Sequence, residues 1–342
     1  MTIPSEARPS ASGVAVSLQP SPLLRGLREV GLGLAAVALS FIVVAILMLL
    51  IGVDPLRAYE ALVRGSFGSI YGLGETLVQA TPLLLIGLGI AIAFRSGIWN
   101  IGAEGQLLLG AIGATIAGLY LPPLPWFVHL PLVLLSGMAF GAAWAAIPGF
   151  LRARWGINEI VTTIMLNYLA LFLLSYLVNG PMKDLNRVPP QPQTATLPAS
   201  AALAKILPPT RAHAGILLAL AATVVVWFLL QHTTLGYELR AVGSNPAAAR
   251  QGGIHTVLTG TLAMVLSGAL AGLAGASEVA GVHRRLLEGI SPGYGYIAIA
   301  VALFGGLSPL GTVFSALFFG ALLVGADAMQ RAVGVPVATV YL

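Results

Sequence analysis

The sequence has no cysteine and very few charged residues. Its 342 residues include no Cys, and Asp, Glu, Lys and Arg together make up 8%, whereas a soluble domain averages about 25% charged residues. The absence of thiols excludes disulfides, thiol catalysis and cysteine-based metal sites. So few charges cannot cover a water-facing globule of this size. We therefore expect a chain that folds in a lipid bilayer.

Sequence signatures of enzymes are also missing. The only lysines, Lys183 and Lys205, lie in no G-x-x-x-x-G-K-[ST] phosphate loop, so we expect no ATP site in this chain. The sequence contains no H-E-x-x-H, and its five histidines show no metal-ligand spacing. The net charge of +5 is carried by too few residues to indicate a nucleic-acid partner. We expect no catalysis, no metal and no cofactor bound by this chain.

Long apolar blocks are what the sequence does contain. Hydrophobic residues make up 57% of the chain, and a bilayer-spanning helix needs about 20 of them in a row. The ten-residue alternating segments of a membrane β-barrel are absent. We predict an all-α polytopic membrane protein with about nine or ten transmembrane helices, some of them broken. The apolar blocks lie at 31–52, 79–94, 105–121, 127–150, 157–178, 213–231, 254–280, 295–307 and 311–329.

Glycine is abundant inside these blocks. The 41 glycines are about 12% of the chain, against a usual value of about 7%. Pairs four residues apart occur at Gly137 and Gly141 and at Gly268 and Gly272. Small residues let helix backbones approach closely in lipid, so the pattern predicts a tightly packed bundle.

Two domain-level segments follow from this pattern. Residues 1–30, which contain proline, serine and arginine, read as a cytosolic N-terminal tail that leads into an uncleaved helix, and residues 31–342 as the transmembrane domain. Residues 180–212 contain seven prolines and are either an ordered connection outside the membrane or a simple linker. Basic residues are almost evenly divided between the two sides of the membrane, so they do not orient the chain.

Two polar, glycine-rich stretches interrupt the apolar pattern. Residues 94–106 and 281–296 each begin with basic residues, continue with a Gly-Ile pair and a polar run, and end in an apolar helix. Interrupted segments at matching places in two halves of a transporter indicate inverted repeats and the substrate site.

A third polar segment, residues 234–254, lies between two apolar blocks. Asn245 followed by Pro246 can cap and start a short helix, and Gly252-Gly253 can end it. Such a helix, lying along the membrane, would suit a soluble motor that pushes on the bundle. The alternative is an ordinary interfacial loop.

Three separated motifs resemble one protein family. The run T-L-G-Y-E-L-R-A-V-G-S-N-P-A-A-A-R-Q-G-G-I, from Thr234 to Ile254, resembles the ATPase-facing loop of ribose- and nucleoside-type ABC permeases. The run that starts at Gly87 and ends at Gly110 resembles their broken second helix, and residues 158–168 are similar to the nucleoside branch. The resemblance covers about residues 30 to 335.

The resemblance implies a type II ABC importer permease fold with inverted repeats. It places residues 234–254 in the cytosol as a coupling loop, residues 180–212 outside, and the N-terminus inside a bacterial cytoplasmic (inner) membrane. The implied partners are an ABC ATPase that binds ATP and Mg, a second permease that is the same or homologous, and an extracytoplasmic substrate-binding lipoprotein. The family usually has a further apolar helix after the region of Pro336, so we expect that the last helix is missing here or that the end is unusual. The expected ATPase-coupling residues are Leu235, Gly236, Arg240, Gly243, Asn245, Pro246, Ala249, Arg250 and Gly253.

For the solute, polar and aromatic side chains in and near the spans are the candidates. Stacking rings and amides that both donate and accept hydrogen bonds suit a nucleoside or a related sugar. The candidate pathway residues are Trp99, Asn100, Glu104, Gln106, Asn158, Glu159 and Asn167. Structural alternatives are an Arg95–Glu104 ion pair and a helix–helix hydrogen bond from Asn167.

Other polar residues in the apolar blocks have no assigned role. Tyr294 and Tyr296 are either interfacial anchors or pore-lining residues, and the roles of Glu278 and Asp327 stay open. The alternative function is an ion-coupled secondary transporter that uses Glu104, Glu278 or Asp327 as a proton carrier.

Overall fold

The computed structural model describes residues 22–186, 188 and 191–334. Within these ranges the protein is helical, without a regular β-strand. The first 21 residues of the predicted tail and the C-terminal residues 335–342, including Pro336, lie outside the described residues. The helices are α1 (Pro22–Leu50), α2 (Pro55–Phe67), α3 (Ile70–Arg95), α4 (Ala103–Tyr120), α5 (Trp126–Trp155), α6 (Glu159–Asn179), α7 (Gly215–His232), α8 (Thr234–Ser244), α9 (Pro246–Gln251), α10 (Thr256–Ser277), α11 (Tyr294–Phe304) and α12 (Pro309–Val333).

The predicted fold class is confirmed. Each of the nine apolar blocks coincides with a helix to within a few residues, except that α1 begins at Pro22, inside the predicted tail, and α3 begins nine residues before its block. Six helical segments of the described residues are long and apolar enough to cross a bilayer. They are Ile70–Arg95, Trp126–Trp155, Glu159–Asn179, Gly215–His232, Thr256–His283 and Pro309–Val333.

One helix, α2, was not predicted. It is amphipathic rather than apolar, and Asp54 caps it by accepting a hydrogen bond from the Leu56 N–H at 2.9 Å. Pro55 occupies its first turn, where the missing N–H is not needed. The Asp54-Pro55 pair was the signal in the sequence that could have revealed it.

The centre of the bundle is formed by α3 and α10, which pack against α4, α5, α11 and α12. The predicted glycine packing is confirmed at the α5–α10 crossing. A Cβ on Gly272 would lie 2.2 Å from the Gly137 carbonyl oxygen, and one on Gly141 would lie 2.3 Å from the Gly268 carbonyl oxygen. Any larger side chain would push the two helices apart, so glycine sets their separation.

Both predicted interruptions are real breaks in the helices. The first separates α3, which ends at Arg95, from α4, which begins at Ala103. The second follows α10, which continues as a π-helix, Glu278–His283, and then stops at Arg284 with a left-handed φ of 54°. The chain re-enters helix only at Tyr294, after Gly293 with φ 98°. The breaks meet inside the bundle, because a Cβ on Gly295 would lie 2.3 Å from the backbone nitrogen of Glu104.

The bundle has two distinct ends. Helix α7 has 18 residues and is about 27 Å long at 1.5 Å per residue, so it separates residues 180–214 at one end from α8 and α9 at the other. The described residues of 180–214 form an ordered connection rather than a loose linker. Their backbone hydrogen-bonds the second break, with Leu197 N–H donating to the Arg284 carbonyl at 2.7 Å and Leu203 N–H to the Ala280 carbonyl at 3.0 Å.

Candidate functional site

The first break is held by a buried amide network. Asn100 Nδ2 donates to Gln106 Oε1 at 2.9 Å and to Ser267 Oγ at 2.8 Å, and Gln106 Nε2 donates back to Asn100 Oδ1 at 3.0 Å. The Gly102 N–H also donates to Asn100 Oδ1. Asn100 is 0% and Gln106 1% exposed, so in this conformation both amides fix the shape of the break and tie it to α10.

Glu104 lies where the two breaks meet. Its Oε2 accepts a 2.7 Å hydrogen bond from the Gly295 N–H, and the Ser291 side chain lies beside it. Ser291 Oγ in turn accepts the Tyr294 N–H at 3.1 Å. The Glu104 side chain, in the first turn of α4, thus accepts a hydrogen bond from a backbone N–H in the first turn of α11. The positive ends of both helix dipoles favour a carboxylate at this position.

The structural alternative of an Arg95–Glu104 ion pair is wrong. Arg95 lies in the last turn of α3, at the end that packs on α8, beside Arg240. No ion pair joins it to Glu104 among the described residues. The break places seven residues between the two helices, which carries the two side chains to different depths of the bundle.

Asn167 bridges α6 to the meeting point of the breaks. Its Oδ1 accepts the Gly105 N–H at 2.8 Å, and its Nδ2 donates to the Ile101 carbonyl at 2.9 Å and to the Tyr296 hydroxyl at 3.2 Å. The alternative of a helix–helix hydrogen bond from Asn167 is therefore confirmed, since Gly105 lies in α4. Tyr296 is 46% exposed, whereas the Tyr294 ring is 4% exposed and its hydroxyl donates to Gln79 Oε1 at 2.5 Å. Tyr294 is thus not an interfacial anchor.

Asn158 and Glu159 lie away from the two breaks, and Trp99 lies in the first break with its ring partly exposed. Asn158 caps α6, accepting the Ile160 N–H at 2.9 Å, and Glu159 pairs with Arg152 at 3.3 Å. They lie nine and eight residues from Asn167, about 12–13 Å along α6. Trp99 is 50% exposed and its ring centre is 4.7 Å from that of Phe94. The structure thus groups Asn100, Glu104, Gln106 and Asn167 around the breaks.

Residues 234–254, the predicted coupling loop, fold as two short helices at the end of the bundle opposite residues 180–214. Asn245 caps α9 by accepting the Ala247 and Ala248 N–H groups at 3.1 Å, Pro246 fills the first turn, and Gly253 has a φ of 87° after it. The predicted helix start and stop are confirmed. The exposed face of this pair of helices includes Tyr237, Ala247, Ala248 and Arg250, and forms the candidate docking surface.

Helix α8 is joined tightly to the bundle. A Cβ on Gly243 would lie 2.0 Å from the Arg95 carbonyl oxygen, and one on Gly236 would lie 2.2 Å from the Leu229 carbonyl oxygen. Arg240 donates to the Leu230 carbonyl. Leu235 and Ala249 turn inward. The end of α3, and therefore the start of the first break, rests directly on α8.

A group of polar residues near the 180–214 end was missed by sequence reasoning. Arg211 makes two contacts with the Glu75 carboxylate, at 2.9 and 2.5 Å. Glu278, whose role had no assignment, is 1% exposed and lies 3.7 Å from His283 Nε2. The charges within or beside apolar blocks were the only signal for this group. Asp327 is exposed on α12.

Comparison with known proteins gives consistent matches. Residues 72–340 match the family described as branched-chain amino acid transport system / permease component. The chain is 40% identical to the guanosine ABC transporter permease protein NupP of Bacillus subtilis (89% of this chain and 87% of that protein covered). It is 38% identical to the glucose ABC transporter permease protein TsgB13 of Haloferax volcanii (96% and 88%) and 37% identical to the nucleoside ABC transporter permease protein NupB of Lactococcus lactis (89% and 85%). No solved structure matches the chain.

Proposed function

This chain belongs to the family of branched-chain amino acid transport system permease components, and we propose from that premise what it carries and how it is driven. It is a multi-pass membrane protein and the permease subunit of an ABC importer. Its solute is a nucleoside or a related simple sugar. Relatives named for guanosine, nucleosides and glucose support this choice. All of these solutes are neutral and rich in hydroxyl groups.

The proposed orientation places α8 and α9 in the cytosol, with the N-terminus, and residues 180–214 on the opposite side of a bacterial inner membrane. An ABC ATPase, which binds the ATP and Mg, docks on the exposed face of α8 and α9. A second permease, the same or homologous, completes the membrane unit, and a substrate-binding lipoprotein delivers the solute at the 180–214 end. The family membership supports this set of partners.

The observation that carries the mechanism is the packing of α8 on the end of α3. Because the Gly243 backbone touches that of Arg95, a displacement of α8 moves the last turn of α3 directly. That turn is followed in the chain by residues 96–102, which include Asn100 of the amide network, and then by Glu104 in the first turn of α4. ATP binding in the partner thus acts on the break in the helix through seven residues of chain, without a long relay.

The proposed solute path passes the meeting point of the two breaks. The N-termini of α4 and α11 face each other there, and half-helix ends of this kind form the solute sites of other transporters. Movement of α4 relative to α11 would lengthen the Glu104–Gly295 contact and release polar groups to the solute. Trp99, Glu104 and Asn167 are the side chains that we assign to this step.

The substrate assignment is tested by competition. The chain is reconstituted with its ATPase, its permease partner and its binding protein, and ATP-driven uptake of radiolabelled guanosine is measured against an excess of unlabelled uridine, ribose or glucose. We expect uridine to inhibit more strongly than ribose or glucose. Equal inhibition by all three would contradict the nucleoside assignment, and strong inhibition by glucose alone would indicate a sugar permease.

The orientation is tested with single cysteines, since the chain has none of its own. Ala248→Cys on α9 and Val188→Cys in the 180–214 connection are both exposed positions. In intact cells, a membrane-impermeant maleimide should label the cysteine at position 188 and spare the one at position 248. The reverse labelling pattern would invert the proposed topology.

A further inference from the structure

Between the meeting point of the breaks and the 180–214 end lies a set of polar side chains that the coupling mechanism does not use. We call it the outer polar cluster. It draws on α3, the connection before α7, the π-helix after α10, and the start of α11. Its members are Glu75, Gln79, Arg211, Glu278, His283 and Tyr294.

The outer part of this cluster consists of two hydrogen-bonded pairs. Two guanidinium nitrogens of Arg211 donate hydrogen bonds to the Glu75 carboxylate, at 2.9 and 2.5 Å. One turn further along α3, the Gln79 side-chain oxygen accepts a hydrogen bond from the Tyr294 hydroxyl at 2.5 Å. Glu75 and Gln79 lie four residues apart on α3 and so share one face of this helix. Neither side chain is fully buried. The cluster therefore reaches solvent at the 180–214 end.

The inner part of the cluster is Glu278, one of whose carboxylate oxygens lacks a hydrogen-bond donor among the described residues. Its carboxylate is 1% exposed, Oε1 has no hydrogen-bond partner among the described residues, and Oε2 is 3.7 Å from His283 Nε2. Buried carboxylate oxygens normally accept hydrogen bonds, and leaving one without a donor is costly. An acceptor oxygen that the described residues leave without a donor can accept a hydrogen bond from a bound molecule.

The local backbone around Glu278 is also unusual. This residue opens a π-helix, a conformation that is rare and occurs frequently at functional sites. The π-helix ends at Arg284, which has a left-handed φ of 54°. The wide turn allows Glu278 to face inward toward Arg211 while the following residues pair with the 197–203 backbone.

Glu278 and Tyr294 both lie close to Arg211. The Glu75 hydrogen bond holds the pKa of Arg211 above its ordinary value, and the nearby carboxyl group of Glu278 acts in the same direction. Tyr294 in turn adjoins Gly295, the residue that donates to Glu104. The cluster is therefore continuous with the meeting point of the two breaks and leads from it toward the outer surface.

We propose that the outer polar cluster is a solute-recognition site in the outer half of the path, and that the Glu278 carboxylate accepts hydrogen bonds from the vicinal hydroxyls of a ribose or hexose. The proposal rests on the proposed function, because it takes the solute class from it. Two carboxylate oxygens match two adjacent O–H donors, and Gln79 and Tyr294 supply amide and hydroxyl groups beside them. A nucleoside that lacks these hydroxyls leaves Glu278 unsatisfied and is rejected.

The test compares ribonucleosides with 2′,3′-dideoxynucleosides as competitors of ATP-driven guanosine uptake in the complete reconstituted system. The wild-type system should prefer the ribonucleoside by about tenfold or more, the discrimination that a site built to hydrogen-bond a hydroxyl achieves. In Glu278→Gln, which keeps the side-chain volume but has one acceptor oxygen fewer, the ratio should fall to within about threefold of unity. Asp327→Asn removes an exposed carboxylate from α12, outside the cluster, and should keep the wild-type ratio.

The outcomes separate the two proposals. If the wild type takes up no nucleoside, the proposed function fails, whatever the variants do. If the wild type does so and Glu278→Gln keeps its ratio, the recognition role of Glu278 is overturned while the proposed function stands. Should Glu278→Gln fail to insert, Gln79→Leu decides the question: a lowered ratio supports the site, and an unchanged ratio rejects it.

Discussion

The Glu104 carboxylate accepts the Gly295 N–H at 2.7 Å, and through this contact the two broken regions of the chain meet in the middle of the bundle. The residues are 191 positions apart in sequence but occupy equivalent places, each in the first turn of a helix that follows a polar break. The contact explains why one intramembrane carboxylate is tolerated at this depth. It also connects the amide network of the first break to the start of α11.

We predict that Glu104→Ala lowers ATP-driven uptake by tenfold or more and destabilises the protein by about 1.5–3 kcal/mol, the loss of a hydrogen bond to a charged acceptor. Glu104→Gln keeps an acceptor oxygen for the Gly295 N–H, so its loss should be smaller. Uptake and the thermal midpoint in detergent measure the two effects. Glu60→Ala is the control, since this carboxylate makes only an exposed pair with Arg64. Wild-type behaviour of Glu104→Ala would show that the contact is dispensable.

The second prediction concerns the junction of α8 with α3. In Gly243→Ala the new Cβ would lie 2.0 Å from the Arg95 carbonyl oxygen, so α8 must move away from α3. We expect the variant to insert and to bind the ATPase but to stimulate its ATP hydrolysis poorly and to support little uptake. The matched control is Gly252→Ala, where φ is −75° and the nearest atom is 3.4 Å away. Full coupling in Gly243→Ala would argue against this junction as the point of force transfer.

The third prediction concerns the docking surface. Arg250 is exposed, and the contact that its side chain makes is a 3.4 Å approach to Thr256 Oγ1, so Arg250→Glu should leave folding intact. A reversed charge on the docking face should reduce co-purification of the ATPase by about tenfold or more, as a like-charge contact at an interface does. Arg331→Glu introduces the same charge change at the end of α12. Undiminished co-purification of Arg250→Glu would exclude this residue from the interface.

The fourth prediction is a pH dependence that originates outside the spans. His213, 2% exposed, accepts the Gly215 N–H on Nδ1, and burial lowers its pKa to about 4 from an ordinary 6.5. Because the folded pKa is below the unfolded one, the neutral ring is favoured by folding. The free energy of unfolding should therefore be highest above about pH 6.5 and should fall by about 3 kcal/mol in total as the pH decreases to 4.

Thermal midpoints in detergent between pH 4 and 7 measure this dependence. His213→Asn keeps an acceptor for the Gly215 N–H and cannot be protonated in this range, so its curve should be flatter than the wild-type curve. Glu278 and His283 on the adjacent π-helix and Glu75 on α3 are the other titratable groups nearby, and all are retained in the variant. His255→Asn, at an exposed position, should follow the wild type. Identical slopes for His213→Asn and the wild type would refute the assignment.

The fold was largely predictable because a lipid bilayer permits few backbone structures. Apolar blocks of the required length must become helices, and the breaks showed as polar glycine-rich runs. The α9 boundaries were predictable because Asn245, Pro246 and Gly253 act locally. Helix α2 was missed because its amphipathic composition resembles that of a loop, although Asp54 and Pro55 mark its start.

The site was predictable in part only. Sequence reasoning found Asn100, Glu104 and Asn167 because polar residues inside apolar blocks are conspicuous. It did not find their partners, and it proposed Arg95 for Glu104 because the two are close in sequence. The actual partner is the backbone of Gly295, and Arg211 reaches Glu75 across 136 positions. Such pairings depend on tertiary packing, which one sequence does not reveal.

The central claim is that energy enters this protein through α8 and α9 from a separate ATPase. The most direct test is guanosine uptake into proteoliposomes that contain the chain with its permease partner and binding protein, with or without the ATPase. We predict uptake that requires both the ATPase and ATP on the α8–α9 side, and that an imposed proton gradient cannot replace them. Uptake driven by a proton gradient in the absence of the ATPase and nucleotide would contradict the account.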